Sequence, residues 1–261
     1  MATRRERLRA ELIRDIKATA LAHLREHGAG GLSLRAVARD LGVSAPGLYR
    51  YYSGRDDLLT ALIADSYHDL ADHLLVALGG DAGQLSGIDR GSPEPPRRQD
   101  AQGPPADRML AVCHAYRAWA RTHPNEFGLI YGDPIPGYAA PEGGETVTAS
   151  TRVASTLLRP IVEGWLAGDL QVPEAFDTEL GAGAARLRDD IARVLGEPVT
   201  SALAAYALSA WAWLHGLVSL EVFGQLDWIY PDGAEPLFDA AVRAHLTSVG
   251  LHPTAAPVPA P

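Results

Sequence analysis

The stretch LSLRAVARDLGVSAPGLYRYYSGRDDLL, from Leu32 to Leu59, constrains this chain more than any other part of it. Ser33 is placed to cap a helix in which Leu34, Val37, Ala38 and Leu41 share one face at i, i+3, i+4, i+7 spacing. Gly42 ends that helix. Ser44 can cap a second one with Pro46 in its first turn, where a missing N–H costs little. The second helix is predicted to run to about Tyr52, with Leu48 and Tyr52 inward and Ala45, Gly47, Tyr49, Arg50 and Tyr51 outward. Two short helices across a tight glycine turn form a helix-turn-helix, whose second helix is the one that enters a major groove.

The polar residues of the stretch suit a nucleic-acid backbone. Arg35, Arg39, Arg50 and Arg55 carry guanidinium groups that can fork onto phosphate, and Tyr49 and Tyr51 add hydroxyl donors. Arg55 also opens the next helix, where exposed N–H groups favour an anion. A net charge of −9 argues at first against such a partner. The charge is unevenly divided, however: the first sixty residues hold 11 Lys+Arg against 7 Asp+Glu, and the remainder 12 against 25. A basic amino-terminal module on an acidic body confines any contact with a duplex to one end.

The run Gly42-Val43-Ser44, then Leu48-Tyr49-Arg50-Tyr51-Tyr52, then Arg55-Asp56-Asp57-Leu58-Leu59, resembles the signature of the tetracycline-repressor (TetR) family of bacterial regulators. The match spans roughly Leu8 to Leu62. By that resemblance, Arg35, Ala45, Pro46 and Gly47 approach base edges of operator DNA, while Ser44, Tyr49, Tyr51 and Arg55 hold phosphates. Ala45, Pro46 and Gly47 cannot make bidentate base contacts, so base reading is expected to rest on Arg35, on thymine methyls and on DNA shape.

Along the rest of the chain the periodicity is helical throughout, and the expected class is all-α. A helix from about Arg4 to His27 carries Ile13, Ile16, Ala20 and Leu24 as a stripe, stopped by Gly28, Gly30 and Gly31. A long helix from Ser53 or Gly54 to about Leu78 follows. Residues 79–106 are rich in Gly, Pro, Ser and charge and read as a disordered insertion, as does the tail from Pro253 to Pro261. Helices resume at Asp107–Thr122, after Pro124, at about Thr146–Leu166 with a kink or break at Pro160, at Thr178–Leu195, at Pro198–Leu226 and at Glu235–Val249. The expected organisation is a three-helix DNA-binding domain over 1–54, then a helical effector-binding and dimerisation domain over 55–252.

The segment SALAAYALSAWAWLHGLVSLEVFGQL is apolar on two sides: Trp211, His215, Val218 and Val222 share one face, and Trp213, Leu217, Leu220 and Gly224 the other. Its length fits a membrane span, but Glu221 sits inside it and no Lys or Arg flanks it. A helix packed on its own domain on one side and on a second copy on the other fits better. Trp211, then His215-Gly216 and Leu217-Val218-Ser219-Leu220-Glu221, is similar to the carboxy-terminal domain of a TetR subset named for its Trp-His-Gly motif. The resemblance implies a dimer formed by the last two helices of each chain and a small-molecule cavity in the body. Tyr116, Trp119, His123, Phe127, Tyr131, Trp165, Trp211 and His215 lie on the helices that the family places around that cavity.

Catalytic and metal sets are missing from the sequence. No nucleophile elbow or phosphate loop occurs in a strand-to-helix setting, and His68 and His73, five apart, do not share a helix face. Asp56-Asp57 and Asp189-Asp190 point apart on a helix, and the lone Cys113 excludes an intrachain disulfide. The amino terminus lacks the roughly 7–15-residue apolar core of a signal peptide. The resemblance therefore implies a cytoplasmic, non-enzymatic, homodimeric regulator without cofactor, metal or membrane partner, most simply a repressor released from double-stranded operator DNA by a small, largely apolar effector. An activator or corepressor-dependent regulator, and an all-α carrier or enzyme with an incidental helix-turn-helix, are the alternatives.

Overall fold

The computed structural model describes residues 3–28, 31–80 and 103–254. Among them are ten α-helices, a 3-10 turn at Glu174–Phe176 and no strand, so the all-α expectation holds. In chain order the helices are α1 (Arg4–His27), α2 (Leu34–Asp40), α3 (Ala45–Leu48), α4 (Arg55–Ala77), α5 (Pro105–Thr122), α6 (Pro124–Tyr131), α7 (Glu145–Leu166), α8 (Gly181–Leu195), α9 (Ser201–Val222) and α10 (Glu235–Ser248). Residues 81–102, most of the stretch read as an insertion, and 255–261, most of the tail, lie outside the described residues, as does Gly30. At the edges of both stretches the expectation is corrected. Pro105 and Ala106 already belong to α5, because proline suits a first helical turn, and Ala106 is buried. Thr254 is held, since Asp107 accepts from its N–H at 2.7 Å and from its hydroxyl at 2.6 Å.

The chain divides into two compact units. The first comprises residues up to Tyr67 together with Asn125–Thr148. Its core is Ile16 and Ala20 of α1, Leu34, Val37 and Ala38 of α2, Leu48 of α3, Tyr52, and Leu58, Leu59 and Leu62 of α4. These are the apolar positions that helical spacing had set on common faces. Polar links then fix the helix directions: Lys17 to Asp65 at 2.6 Å, His23 to Asp40 at 2.6 Å and Arg25 to Glu126 at 3.0 Å.

The second unit comprises His68–Pro124 and the residues from Ala149 onward. Its centre is α5, which buries Met109, Val112, Cys113, Tyr116, Arg117 and Trp119 against α9 and α10. α7 runs unbroken through Pro160, so the predicted interruption near Leu157 does not occur; the helix keeps Val153, Leu157, Ile161 and Val162 buried on one face across it. α8 begins at Gly181 rather than Thr178, and α9 is confined to Ser201–Val222 by the Thr200 cap, whose hydroxyl accepts from Leu203 N–H at 3.1 Å.

α9 departs from its predicted faces. Its buried side is Leu203, Ala207, Ala210, Leu214 and Val218, and Trp211, Trp213, His215 and Leu217 are all half-buried on its flanks. Leu208, Leu220 and Phe223 remain 50%, 45% and 47% exposed, so an apolar edge faces outward. Among the described residues α9 is the one helix long and apolar enough to cross a membrane, with mean hydropathy 1.3. Its Glu221 is held in an ion pair with Arg117 of the same unit.

Candidate functional site

The turn between α2 and α3 is set by one glycine. Gly42 takes φ +65°, its N–H reaches the Arg39 carbonyl at 3.1 Å, and Val43 N–H reaches the Ala38 carbonyl at 3.0 Å. This pair of bonds is the Schellman motif, which satisfies the carbonyls at the end of α2 and turns the chain sharply. Ser33 stands at the start of α2 without a side-chain cap bond, whereas Ser44 caps α3 by accepting from Gly47 N–H at 3.3 Å. α3 is shorter than predicted. It closes at Leu48, and residues 49–51 wind on as turns, with Tyr51 N–H on the Leu48 carbonyl at 2.9 Å. Tyrosine is a modest helix former, and Ser53-Gly54 offers no continuation.

Burial separates the residues that hold this unit from those that face out. Leu48 and Tyr52 are 1% and 7% exposed, and burial pushes the Tyr52 hydroxyl up to about 12. Arg35, Ser44, Pro46, Tyr49 and Arg50 are exposed; Ala45, Gly47, Tyr51 and Arg55 are half-buried. A Cβ added to Gly47 would lie 3.1 Å from Ser44 Oγ, so the cap and the glycine are fitted to one another. Arg55 lies beside Asp56, 3.1 Å away, and Arg39 beside Asp40, 3.4 Å away. The guanidinium of Arg9 stands over the Tyr51 ring, 5.9 Å from its centroid, which brings the start of α1 to the residues after α3.

The second unit gathers part of the predicted aromatic set. Tyr116 Oη is 2.8 Å from His215 Nδ1, Ser219 Oγ is 3.3 Å from His215 Nε2, and Trp211 stacks on the imidazole at 5.2 Å. Burial holds the His215 pKa below its ordinary value, so the ring is neutral at pH 7 and one nitrogen donates while the other accepts. Trp119 and His123 form a separate pair, stacked at 5.2 Å, with the Trp119 indole N–H donating to Asp69 at 2.7 Å. Trp165 is half-buried on α7. Phe127 and Tyr131 belong to the first unit, where their rings pack at 5.3 Å.

Sequence reasoning missed a second cluster. Cys113, Tyr206, Trp213 and His245 line, with Trp211 and Leu214, an apolar cavity of about 20 Å³ between α5, α7, α9 and α10. Trp213 stacks on His245 at 4.5 Å, and Tyr206 Oη lies 3.4 Å from His245 Nε2. Burial pushes the Cys113 thiol and the Tyr206 hydroxyl up to about 12 and lowers the His245 pKa. The spacing of Tyr206, Ala210 and Trp213 along α9 carries this signal, but the two apolar faces read from the sequence, from Trp211 to Val222 and from Trp213 to Gly224, leave out Tyr206 and Ala210. A cavity of this size holds one water, so an effector placed here has to spread the helices around it.

Comparison with known proteins finds two family matches along the chain. A family model described as bacterial regulatory proteins of the tetR family matches residues 16–62, and one described as a tetracyclin repressor-like carboxy-terminal domain matches residues 109–245. An HTH-type transcriptional regulator of Mycobacterium tuberculosis is 34% identical over 232 residues, covering 88% of each chain, as is one of Mycobacterium bovis. The chain belongs to the TetR family. The crystal structure of the protein SCO4313 shares its fold at a TM-score of 0.66 and 32% identity, covering 94% of this chain and 100% of the other. This TetR-family protein is accordingly a helix-turn-helix, DNA-binding transcriptional regulator. The 16–62 match holds α2, the Gly42 turn and α3, and the 109–245 match holds the Trp211 to Gly216 run.

Proposed function

We propose that this TetR-family chain acts in the cytoplasm as a homodimeric repressor that a small, largely apolar effector releases from its operator. The outward row of Arg35, Ser44, Tyr49 and Arg50 around a capped and buried Leu48 supports DNA contact through α2 and α3. In this reading Arg35, Ala45, Pro46 and Gly47 meet base edges, and Ser44, Tyr49, Arg50, Tyr51 and Arg55 hold phosphates. The exposed apolar edge of α9, with Leu208, Leu220 and Phe223, supports pairing with a second copy. Two recognition helices then meet half-sites about one turn, ~34 Å, apart.

The effector is taken up in the second unit, among Trp119, His123, Trp165, Trp211, His215 and Tyr116. Binding acts only through differential affinity: the effector must favour a state of α4 in which the half-site spacing no longer fits DNA. The observation that carries the reading is the polar, outward face of α2 and α3 on a unit that the tetR-family model matches.

Binding of the purified protein to genomic fragments, including the region upstream of its own gene, across a salt series tests it. Selective binding whose log K falls linearly with log salt is expected, and added effectors should release the fragment. A protein that selects no fragment until a small molecule is added would replace release with corepression.

A further inference from the structure

We propose that the first two turns of α1 form a second phosphate-binding surface, in which Arg5 and Arg9 grip the DNA backbone beside the segment that follows α3. The inference rests on DNA binding by the helix-turn-helix and adds to it a contact from another helix. α1 buries Ile16, Ala20 and His23 and half-buries Leu12, all on one face. Steps of three and four residues back along that face lead to Arg9 and then Arg5. The side of α1 that packs on α2 and α4 thus continues, past the end of the core, as two exposed guanidinium groups rather than leucines.

Three further observations fix what those groups face. Arg9, though exposed, stands over the Tyr51 ring at 5.9 Å, which places its guanidinium beside the turn after α3. The helix that carries both arginines begins in an ordered first turn: Glu6 N–H meets Thr3 Oγ1 at 3.3 Å, and Thr3 N–H meets Glu6 Oε2 at 2.7 Å, closing a capping box. That bonding holds the Glu6 carboxyl below its usual range. Neither Arg5 nor Arg9 forms an ion pair among the described residues. A pair of unneutralised guanidinium groups one turn apart, next to a tyrosine on an exposed turn, fits phosphate oxygens and carries no base information.

The test compares two charge-matched double variants. R5A/R9A removes the pair that continues the packed face, and R4A/R7A removes two arginines from other faces of the same helix. Fluorescence anisotropy with a labelled random-sequence duplex of about 30 bp, over a range of salt, gives the slope of log K against log salt, and each lost phosphate contact lowers it by about 0.9. R5A/R9A should reduce the slope by about 1.8 per bound chain while R4A/R7A leaves it close to wild type, and R9K should keep the wild-type slope. Thermal unfolding followed by circular dichroism checks that all variants keep the wild-type fold, which the exposure of both side chains leads us to expect. Equal losses in the two double variants, or an unchanged slope in R5A/R9A, would overturn the proposal while leaving the helix-turn-helix in place. A wild-type protein without salt-dependent binding would overturn the DNA reading itself, and this surface with it.

Discussion

Arg117 of α5 and Glu221 at the end of α9 form a two-point ion pair, with Nε 2.6 Å from Oε2 and Nη2 2.6 Å from Oε1, and their side chains are only 4% and 9% exposed. Glu221 also accepts from Ala234 N–H at 3.2 Å, and Arg117 contacts Glu235 and lies over the Phe238 ring at 5.2 Å. The pair therefore joins α5 to both ends of the connection between α9 and α10. Removing Arg117 leaves the buried Glu221 carboxylate with only the more exposed Arg121 as a charged partner, 3.3 Å away, so the cost falls at or below the lower end of the ~3–5 kcal/mol of an unpaired buried charge. R117M should lower the urea midpoint by that measure, and R117M/E221L should recover part of the loss. A wild-type midpoint in R117M would show that the pair contributes nothing.

Acid should unfold the protein in two stages. Burial holds the pKa values of His215 and His245 low, so the stability each contributes is complete above the ordinary histidine value near ~6.5 and is lost as pH falls toward the lower folded value. Glu221 and Asp239 are also lowered. Burial pushes both up, but bonds from Arg117 and Ala234 to Glu221, and from Arg243 and His114 to Asp239, outweigh it. Their contribution is complete above about pH 4 and lost only as pH falls through their folded values. Melting temperature against pH should thus begin to fall below about 6.5 and fall again below about 4. H215Q should weaken the first stage and E221Q the second; unchanged profiles in both would remove these groups as the cause.

How much of this was legible in the sequence depends on how local the determinants were. α1 and α4 were read to within a residue or two because their apolar stripes, the Gly28 stop and the polar Ser53-Gly54 start are all local signals. The end of α3 was overrun, since the i, i+4 pair Leu48 and Tyr52 is buried whether the intervening residues are helical or turned. Pro160 predicts a kink or an interruption near Leu157, and the interruption does not occur because tertiary packing of Leu157 and Ile161 keeps α7 whole. At the site, Tyr49 and Arg50 are legible as outward from spacing alone, whereas Ala45, Gly47 and Tyr51, expected outward with them, are half-buried. The cluster of Cys113, Tyr206 and His245 is not legible, because it joins three helices whose mutual rotation no single-helix pattern contains.

Gly42 gives a clean test of the turn. A Cβ at this position would meet nothing within 4 Å, so G42A incurs only the cost of a left-handed conformation, about 1–2 kcal/mol. The thermal midpoint should drop accordingly with no change in the size of the core. A loss well beyond that range would mean that the Schellman bonds themselves had broken.

The outward edge of α9 predicts how the chain associates. Leu208 is half exposed and Phe223 nearly so, and placing a charge at either position leaves the core face of Leu203, Ala207 and Leu214 untouched. L208E and F223E should each shift a dimer toward monomer in sedimentation velocity while keeping the wild-type helix content. A wild-type dimer unmoved by both variants would place the interface elsewhere.

On the proposed reading, Tyr49 and Arg35 separate phosphate holding from base reading. Tyr49 is 46% exposed with its hydroxyl outside the core, so Y49F changes one donor and nothing that packs. Loss of one neutral hydrogen bond to a phosphate is worth about 0.5–1.5 kcal/mol, or roughly 2- to 10-fold in Kd, and it should apply equally to every duplex tested. R35A should instead lower affinity unevenly, because a guanidinium on a base edge discriminates by about 1–3 kcal/mol where the wrong base stands. Ser44 is a poor probe for the same purpose, since its oxygen caps α3 and its removal destabilises the helix as well. Binding of Y49F, R35A and the wild type to a duplex library, read by sequencing of the bound fraction, measures both effects together. Undiminished affinity in Y49F would remove the hydroxyl from the phosphate contacts, and an unchanged base preference in R35A would leave sequence reading to DNA shape and to the small residues Ala45, Pro46 and Gly47.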